Sequence, residues 1–570
     1  MAALRSTVRT TAQRNHITMP TAMEGTGVRP SVRPRAPCSL QLQTLALLRA
    51  KTARKLRQVS LKAAGGGDRV DRRDVLLGLG GSAAAGLVAT TRRGGAVAAP
   101  IQPPDLGSCK TPDIPDTAAD PSCCIAYSAG TGVVDFQPPA PRSGAISLMK
   151  ALPDDDPRSF AQQARVHCAY CDGAYDQVGF PDLDLQVHNS WLFFPWHRLY
   201  TYFHERILGK LIGDETFALP FWNWDAPDGM TLPAIYTNTS SPLYDDMRSQ
   251  AHQPPSLLDL DFSDTDANIP RDEQIDQNLK FMYRQMISGA KKRELFMGQP
   301  YRAGDAPDPG AGSIENVPHG PLHGWVGDPR QPNGENMGSF YSAGRDPIFF
   351  ALHGNIDRLW HVWRGLSPSN TDFADDDWLD ASFLFYDEDA RLVRARVRDC
   401  LDPAAMRYTY QDVGVPWLDA RPARTPAGTP APATGALPAR LDETVRVAVT
   451  RPRVSRSPEE KAEEEEVLVV EGIEIADHFR YVKFDVYVNQ CAGGDGAAAA
   501  ECAGSVALTP HAVRHGEKSG NPVKTVARFG ICDLLDEIGA DGDKTIVVSL
   551  VPRCAGDLVT VAGVSIAYVK

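Results

Sequence analysis

His188-Asn189-Ser190-Trp191-Leu192-Phe193-Phe194-Pro195-Trp196-His197-Arg198 is an aromatic run with a histidine near each end. Nine residues are two and a half helical turns, so one continuous helix would place the two imidazoles on opposite faces. They converge only if His188 lies at or before the helix entrance, and Pro195 supplies the irregularity. His167 joins them within 31 residues, and His319, His323 and His353 form a second set within 35. His319 and His323 are i and i+4, so they face the same side if Pro321 sits in the first turn of a helix.

Neutral imidazole suits copper, zinc, iron and nickel, and three of them leave a coordination position open, so two sets imply two metal ions. No Asp or Glu stands at ligand spacing, which disfavours a di-iron site built on Glu-x-x-His. A coupled copper pair that binds O2 fits better. His204 lies about 10 Å along the axis from His197, and His361 about 12 Å from His353, so both read as packing or surface residues.

The chain around these sets has 570 residues, 42% hydrophobic, with 48 Gly and 45 Pro. It is too long for one core and too apolar for a disordered chain, which implies two globular domains with extensions. Residues 1–98 carry 17 Lys or Arg against 4 Asp or Glu, so residues 99–570 hold a net −25 of the overall −12. Such a surface argues against nucleic acid or an anionic membrane as partner. No stretch reaches the roughly 18 apolar residues of a spanning helix, so no membrane insertion is expected.

Residues 1–67 contain a single acidic residue, Glu24, among scattered Arg, Ser and Thr, and read as a chloroplast transit peptide. Residues 68–98 follow with Arg72-Arg73, a Gly- and Ala-rich apolar stretch and Ala96-Val97-Ala98, a twin-arginine transfer signal. Together they address the mature chain to the thylakoid lumen. Ile101 to Cys124 reads as an extended arm. Helical spacing marks 159–213, 271–296 and 346–364, so residues 99–419 form a mainly α domain with long loops. Residues 420–466 turn to Pro, Ala and dense charge and read as a cleavable linker, with a short strand at 444–449. Val- and Ile-rich segments at 467–475, 481–488, 545–551 and 558–569 predict a C-terminal antiparallel β-sandwich over 467–570.

His167-Cys168-Ala169-Tyr170-Cys171 with the opening motif resembles the first copper motif of plant polyphenol oxidases (catechol oxidases), the type-3 copper proteins. His319-Gly320-Pro321-Leu322-His323, with Asp346-Pro347-Ile348-Phe349-Phe350 through His353 to Trp360, resembles the second. Asp377-Trp378-Leu379 and Lys483-Phe484-Asp485-Val486-Tyr487-Val488-Asn489 resemble markers of the family's later segments.

The resemblance implies a four-helix bundle around a dinuclear copper centre. His167, His188 and His197 would hold copper A, and His319, His323 and His353 copper B. It further implies a Cys171–His188 thioether and the disulfides Cys109–Cys124 and Cys123–Cys168. Phe340 would be a gate over copper A and Glu315 a water-positioning carboxylate. Gly320 departs from members that carry Asn or Asp there and hydroxylate monophenols. Asp357, four residues after His353, is expected to accept from a ligand imidazole.

The activity implied is oxidation of o-diphenols to o-quinones with reduction of O2 to water, with a phenol and O2 as partners and the C-terminal domain shielding the pocket until detergent, acid or protease displaces it. Acid is expected to act by protonating interface carboxylates. The alternatives are a tyrosinase with substantial monophenol hydroxylation and a haemocyanin-like O2 binder. A two-zinc hydrolase would need a bridging carboxylate, and none stands at ligand spacing.

Overall fold

Ser159 starts the first long helix: its hydroxyl accepts from the Gln162 amide, and α1 runs Phe160–Cys171. A short hairpin (Asp176–Gln177 with Phe180–Asp184) interrupts what the spacing predicted as helix up to residue 213. The second helix, α2 (Phe193–Ile212), ends at Gly213, whose φ of 70° needs a residue without Cβ. Then come α3 (Arg271–Tyr283), the short α4 (Gly320–Val326) with Pro321 in its first turn, and α5 (Ile348–Leu366). The computed structural model describes residues 99–570, except 115–116, 119–121, 128–131, 136–145, 215, 423–428, 492–498 and 513–521. The segments 1–67 and 68–98, read from the sequence as targeting signals, therefore lie outside the described residues.

The helices pack around a core dominated by tryptophan: Trp191, Trp196, Trp224, Trp325, Trp360, Trp363, Trp378 and Trp417 are all fully buried. Buried charges are matched, Arg248 to Asp346 at 2.5 Å and Arg358 to Asp225 at 3.0 Å, as dry surroundings require. The arm after Ile101 holds one short 3-10 turn, Leu106–Ser108, and is otherwise without helix or strand up to Cys124 among its described residues. Two disulfides fasten it, Cys109–Cys124 within the arm and Cys123–Cys168 to α1. Cys171, Cys400, Cys491, Cys502, Cys532 and Cys554 are free thiols.

A small three-stranded sheet of β1 (Ser382–Tyr386), β2 (Leu392–Arg396) and, parallel to β2, the short strand Val134–Asp135 closes the helical domain, and the last turn, Pro416–Asp419, buries Trp417 against Asp225. The C-terminal part is a sandwich built from β3 (Ala439–Arg440), β4 (Val445–Thr450), β5 (Glu465–Ile475), β6 (Val482–Val488), β7 (Cys502–Leu508), β8 (Val523–Gly530), β9 (Thr545–Cys554) and β10 (Val559–Val569). One four-stranded sheet has the order β7-β6-β9-β4 and the other β8-β5-β10-β3. This is the mainly α plus antiparallel β architecture that the sequence predicts.

The segment 420–466 differs from the linker expected. Its β4 alternates Val445, Val447 and Val449 into the sandwich core and pairs with β9. Arg451, fully buried, binds the Glu466 carboxylate at 2.8 Å. The short strand expected at 444–449 is thus an edge strand of the sandwich, the charge-rich composition concealed only the buried ion pair, and the sandwich begins near Leu437 with 420–436 as connection. No helix among the described residues is long and apolar enough to cross a membrane.

Candidate metal centre

Five of the six histidines ride on or beside helices: His167 on α1, His197 on α2, His319 and His323 at the start of α4, and His353 on α5. His188 comes from the loop before α2, the placement its spacing demands. That loop is pinned from two sides. The Trp378 indole donates to the Trp191 carbonyl at 3.0 Å. Gln186 accepts from the Val187 and His188 amides and donates to the Cys171 carbonyl, all at 2.9 Å. Gln186 therefore holds the His188 segment against Cys171, a role the sequence reading missed because no pattern marks a lone glutamine.

The nitrogens of His167, His188 and His197 approach within 4.8 Å of one another, and those of His319, His323 and His353 do likewise. Backbone carbonyls orient five of the rings. The Nδ1 groups of His167, His197, His319, His323 and His353 meet the carbonyls of Phe340, Phe193, Glu315, Met337 and Phe349 at 2.7–3.1 Å. Nδ1 therefore carries the proton and Nε2 keeps its lone pair. The Nε2 atoms of His167, His188, His197 and His353 are buried without any hydrogen-bond partner. Such orphaned acceptors are costly unless a ligand satisfies them, and the donor set fits a metal bound through Nε2. Burial depresses every one of these imidazoles, His167 to about 3 and His323 to about 4, with His323 adding to the effect at His167. All six are neutral ligands at physiological pH.

The structure leaves His204 and His361 out of both groups. His204 stacks flat on Phe350 at 3.5 Å, and His361 is exposed near Tyr410. Phe340 lies parallel to the His188 ring at 4.1 Å. Glu315 is buried, accepts from the Asn189 amide and keeps Oε2 unpaired. Burial pushes its carboxyl well above the usual range.

Asp357 departs from the expectation. Its oxygens take Arg198 Nε and the hydroxyls of Tyr408 and Tyr410, while His353 bonds to Phe349 instead. Side chains on a helix tilt toward its N-terminus, so an imidazole reaches the carbonyl four residues before it and not the residue four after.

The C-terminal sandwich lies directly on this centre through β7 and the residues after it. Asn316 pairs with the β7 backbone as a neighbouring strand would, donating to the Ser505 carbonyl at 2.7 Å and accepting from the Ala507 amide at 3.0 Å. Phe340 N donates to the Pro510 carbonyl at 3.0 Å, and the Ala512 amide donates to Asp172 at 2.8 Å. Lys483, fully buried in the sandwich, reaches Asp261 of the helical domain at 3.0 Å. Leu508, Thr509 and His511 line one cavity with His188, Glu315 and Phe340, and only about 10 Å³ remains there. That is scarcely room for one water. A Cβ on Gly320 would stand 3.5 Å from both Ala507 Cβ and Thr509 Oγ1, so a larger side chain would press on the overlying strand.

Residues 157–366 match the common central domain of tyrosinase, 372–423 the polyphenol oxidase middle domain, and 437–568 the chloroplastic polyphenol oxidase C-terminal domain. A chloroplastic polyphenol oxidase of Malus domestica is 48% identical over 95% of this chain and 97% of its own. The chain belongs to the plant polyphenol oxidase family. This polyphenol oxidase is thus an enzyme of the type-3 copper class, with two copper ions as its cofactors.

Aureusidin synthase of Antirrhinum majus is 49% identical over 82% of this chain and 88% of its own. Among solved structures, a latent apple tyrosinase superposes with a TM-score of 0.73 at 51% identity, covering 77% of this chain and all of its own. A latent aurone synthase superposes with a TM-score of 0.78 at 40% identity, covering 83% and 99%.

Proposed function

We propose that this polyphenol oxidase oxidises o-diphenols to o-quinones in the thylakoid lumen of the chloroplast and is latent while its C-terminal sandwich stays docked. The orphaned Nε2 atoms of the two histidine groups carry the first half of this reading. His167, His188 and His197 hold copper A; His319, His323 and His353 hold copper B. When bound, the coppers supply a two-electron oxidation of each of two diphenols, matched by reduction of one O2 to two waters.

The chain's own residues prepare the phenol. Phe340 offers an apolar face beside His188 against which a ring can lie, and Glu315 Oε2 takes the hydroxyl proton once water enters the pocket. Gln186 holds the His188 segment beside Cys171, so that a Cys171–His188 thioether can form and fix the ring. Names among the relatives, such as chloroplastic polyphenol oxidase, support the plastid assignment, and the tandem address in residues 1–98 supports the lumen.

The cavity of about 10 Å³ supports latency, because an aromatic ring needs space nearer 150 Å³. Leu508, Thr509 and His511 occupy the place where a substrate would lie. Residues 432–436 are exposed and precede the first strand of the sandwich, so a cut there frees that domain intact.

Monophenol hydroxylation is the second reading, favoured by relatives named tyrosinase and (+)-larreatricin hydroxylase. Oxygen uptake with catechol and with tyrosine, before and after limited proteolysis, tests both. Catechol uptake should rise sharply on cutting and exceed that with tyrosine. Unchanged uptake with the domains separated and copper retained removes the latency reading. Equal rates on the two phenols favour the tyrosinase.

A further inference from the structure

A second cavity of about 220 Å³ opens on the rear of the helices that present His197 and His353. Arg198, Thr201 and Glu205 of α2 face Gly354 and Asp357 of α5 across it, and Leu219 and Phe221 form an apolar wall. Its polar groups are unevenly satisfied. Asp357 is saturated by Arg198 Nε, Tyr408 and Tyr410. Arg198 Nη1 donates to the Cys400 carbonyl at 3.0 Å, and the guanidinium lies over Trp360 at 3.7 Å. Arg198 Nη2 has no hydrogen-bond partner although the residue is only 1% exposed. Across the same cavity Glu205 accepts from the Leu219 amide through one oxygen at 2.7 Å.

We infer that this cavity binds a neutral, single-ring phenol at a site separate from the copper pocket. The Arg198 charge is already balanced by Asp357, so an anion would find no spare positive charge. A phenol hydroxyl can do what neither an anion nor a hydrocarbon can: donate to the second oxygen of the Glu205 carboxylate while its ring stays on the apolar wall. Burial pushes Glu205 up to about 7, and a donor at its oxygen supports the charged form. The ring rests against Phe221 and Leu219. An apolar cavity of about 150 Å³ already admits benzene, so the space suffices for one substituted ring. No bond is made or broken there. Because Arg198 adjoins His197 and Gly354 adjoins His353, an occupant braces both helices from behind.

Anaerobic calorimetric titration of the copper-loaded full chain with resorcinol tests this, since its hydroxyls are not adjacent and cannot yield an o-quinone. One saturable class of binding is expected in addition to whatever the copper pocket takes. Leu219→Trp, which fills the cavity, should remove that class, and Glu205→Gln should weaken it about tenfold, the worth of one hydrogen bond to a charged group. Crystals of the full chain soaked in 4-bromophenol should show bromine in the cavity beside Phe221, with the hydroxyl at Glu205. Absence of saturable heat at millimolar resorcinol, heat unchanged in both variants, or bromine confined to the copper pocket would each overturn the proposal. Binding at crystal concentration only, without heat in solution, overturns it too.

Discussion

At the residue scale the metal centre is a set of side chains with unequal duties. His188→Ala or His323→Ala should leave one copper per chain in place of two and abolish nearly all catechol turnover, read by metal analysis and oxygen uptake. His204→Ala and His361→Ala should keep both coppers and turn over, because one ring packs on Phe350 and the other faces solvent. Gly320 has a double meaning. Its missing side chain makes room for Ala507 and Thr509, and on the proposed role of Glu315 it also leaves that carboxylate without a neighbour that could orient water. Gly320→Asn should raise basal catechol turnover of the uncut chain severalfold by pushing on that strand. In the cut enzyme the same variant should raise tyrosine hydroxylation relative to catechol oxidation. Neither ratio moving would refute both roles.

At the scale of elements, β7 and the residues after it are what cover the pocket. Asn316 holds β7 by two hydrogen bonds worth about 1 kcal/mol each. Asn316→Ala should therefore shift the closed-to-open ratio about 30-fold and raise the ratio of uncut to cut turnover accordingly. This strand is also where the sequence was least legible. Cys502-Ala503-Gly504-Ser505-Val506-Ala507-Leu508 has one β-branched residue and reads as a loop by propensity. It is a strand because β6 pairs with it and small side chains allow Phe529 to close over Gly504. The histidine helices could be read from spacing and Val-rich strands from alternation, since both patterns are local. Asn316, Gln186 and the true partners of Asp357 could not, because each is defined by residues distant in the chain. Likewise the buried Arg451–Glu466 pair hid in a charge-rich stretch, although the strand beside it was legible from its alternating valines.

For the molecule as a whole, docking couples to pH with a sign opposite to that expected from acid release by carboxylates. Burial against the sandwich raises Asp172 to about 8 and Asp261 to about 7. Undocking returns both to water, where carboxyls titrate near 4. The docked state therefore binds more protons, and its advantage is full below about pH 4 and lost as pH rises through 7 and 8. The uncut chain should gain activity relative to the cut enzyme between pH 6 and 9, and Asp172→Asn should flatten that gain. Loosening in acid must come from a group depressed by docking.

The carbonyls that orient five of the histidines give the family a kind of evolutionary freedom. The proton position on those rings is set by peptide groups, which every residue possesses and no substitution removes. Side chains lining the pocket can then be exchanged without disturbing the metal-facing nitrogens. New substrates can be explored at little risk to the chemistry, and one scaffold can come to bear names as different as aureusidin synthase and larreatricin hydroxylase.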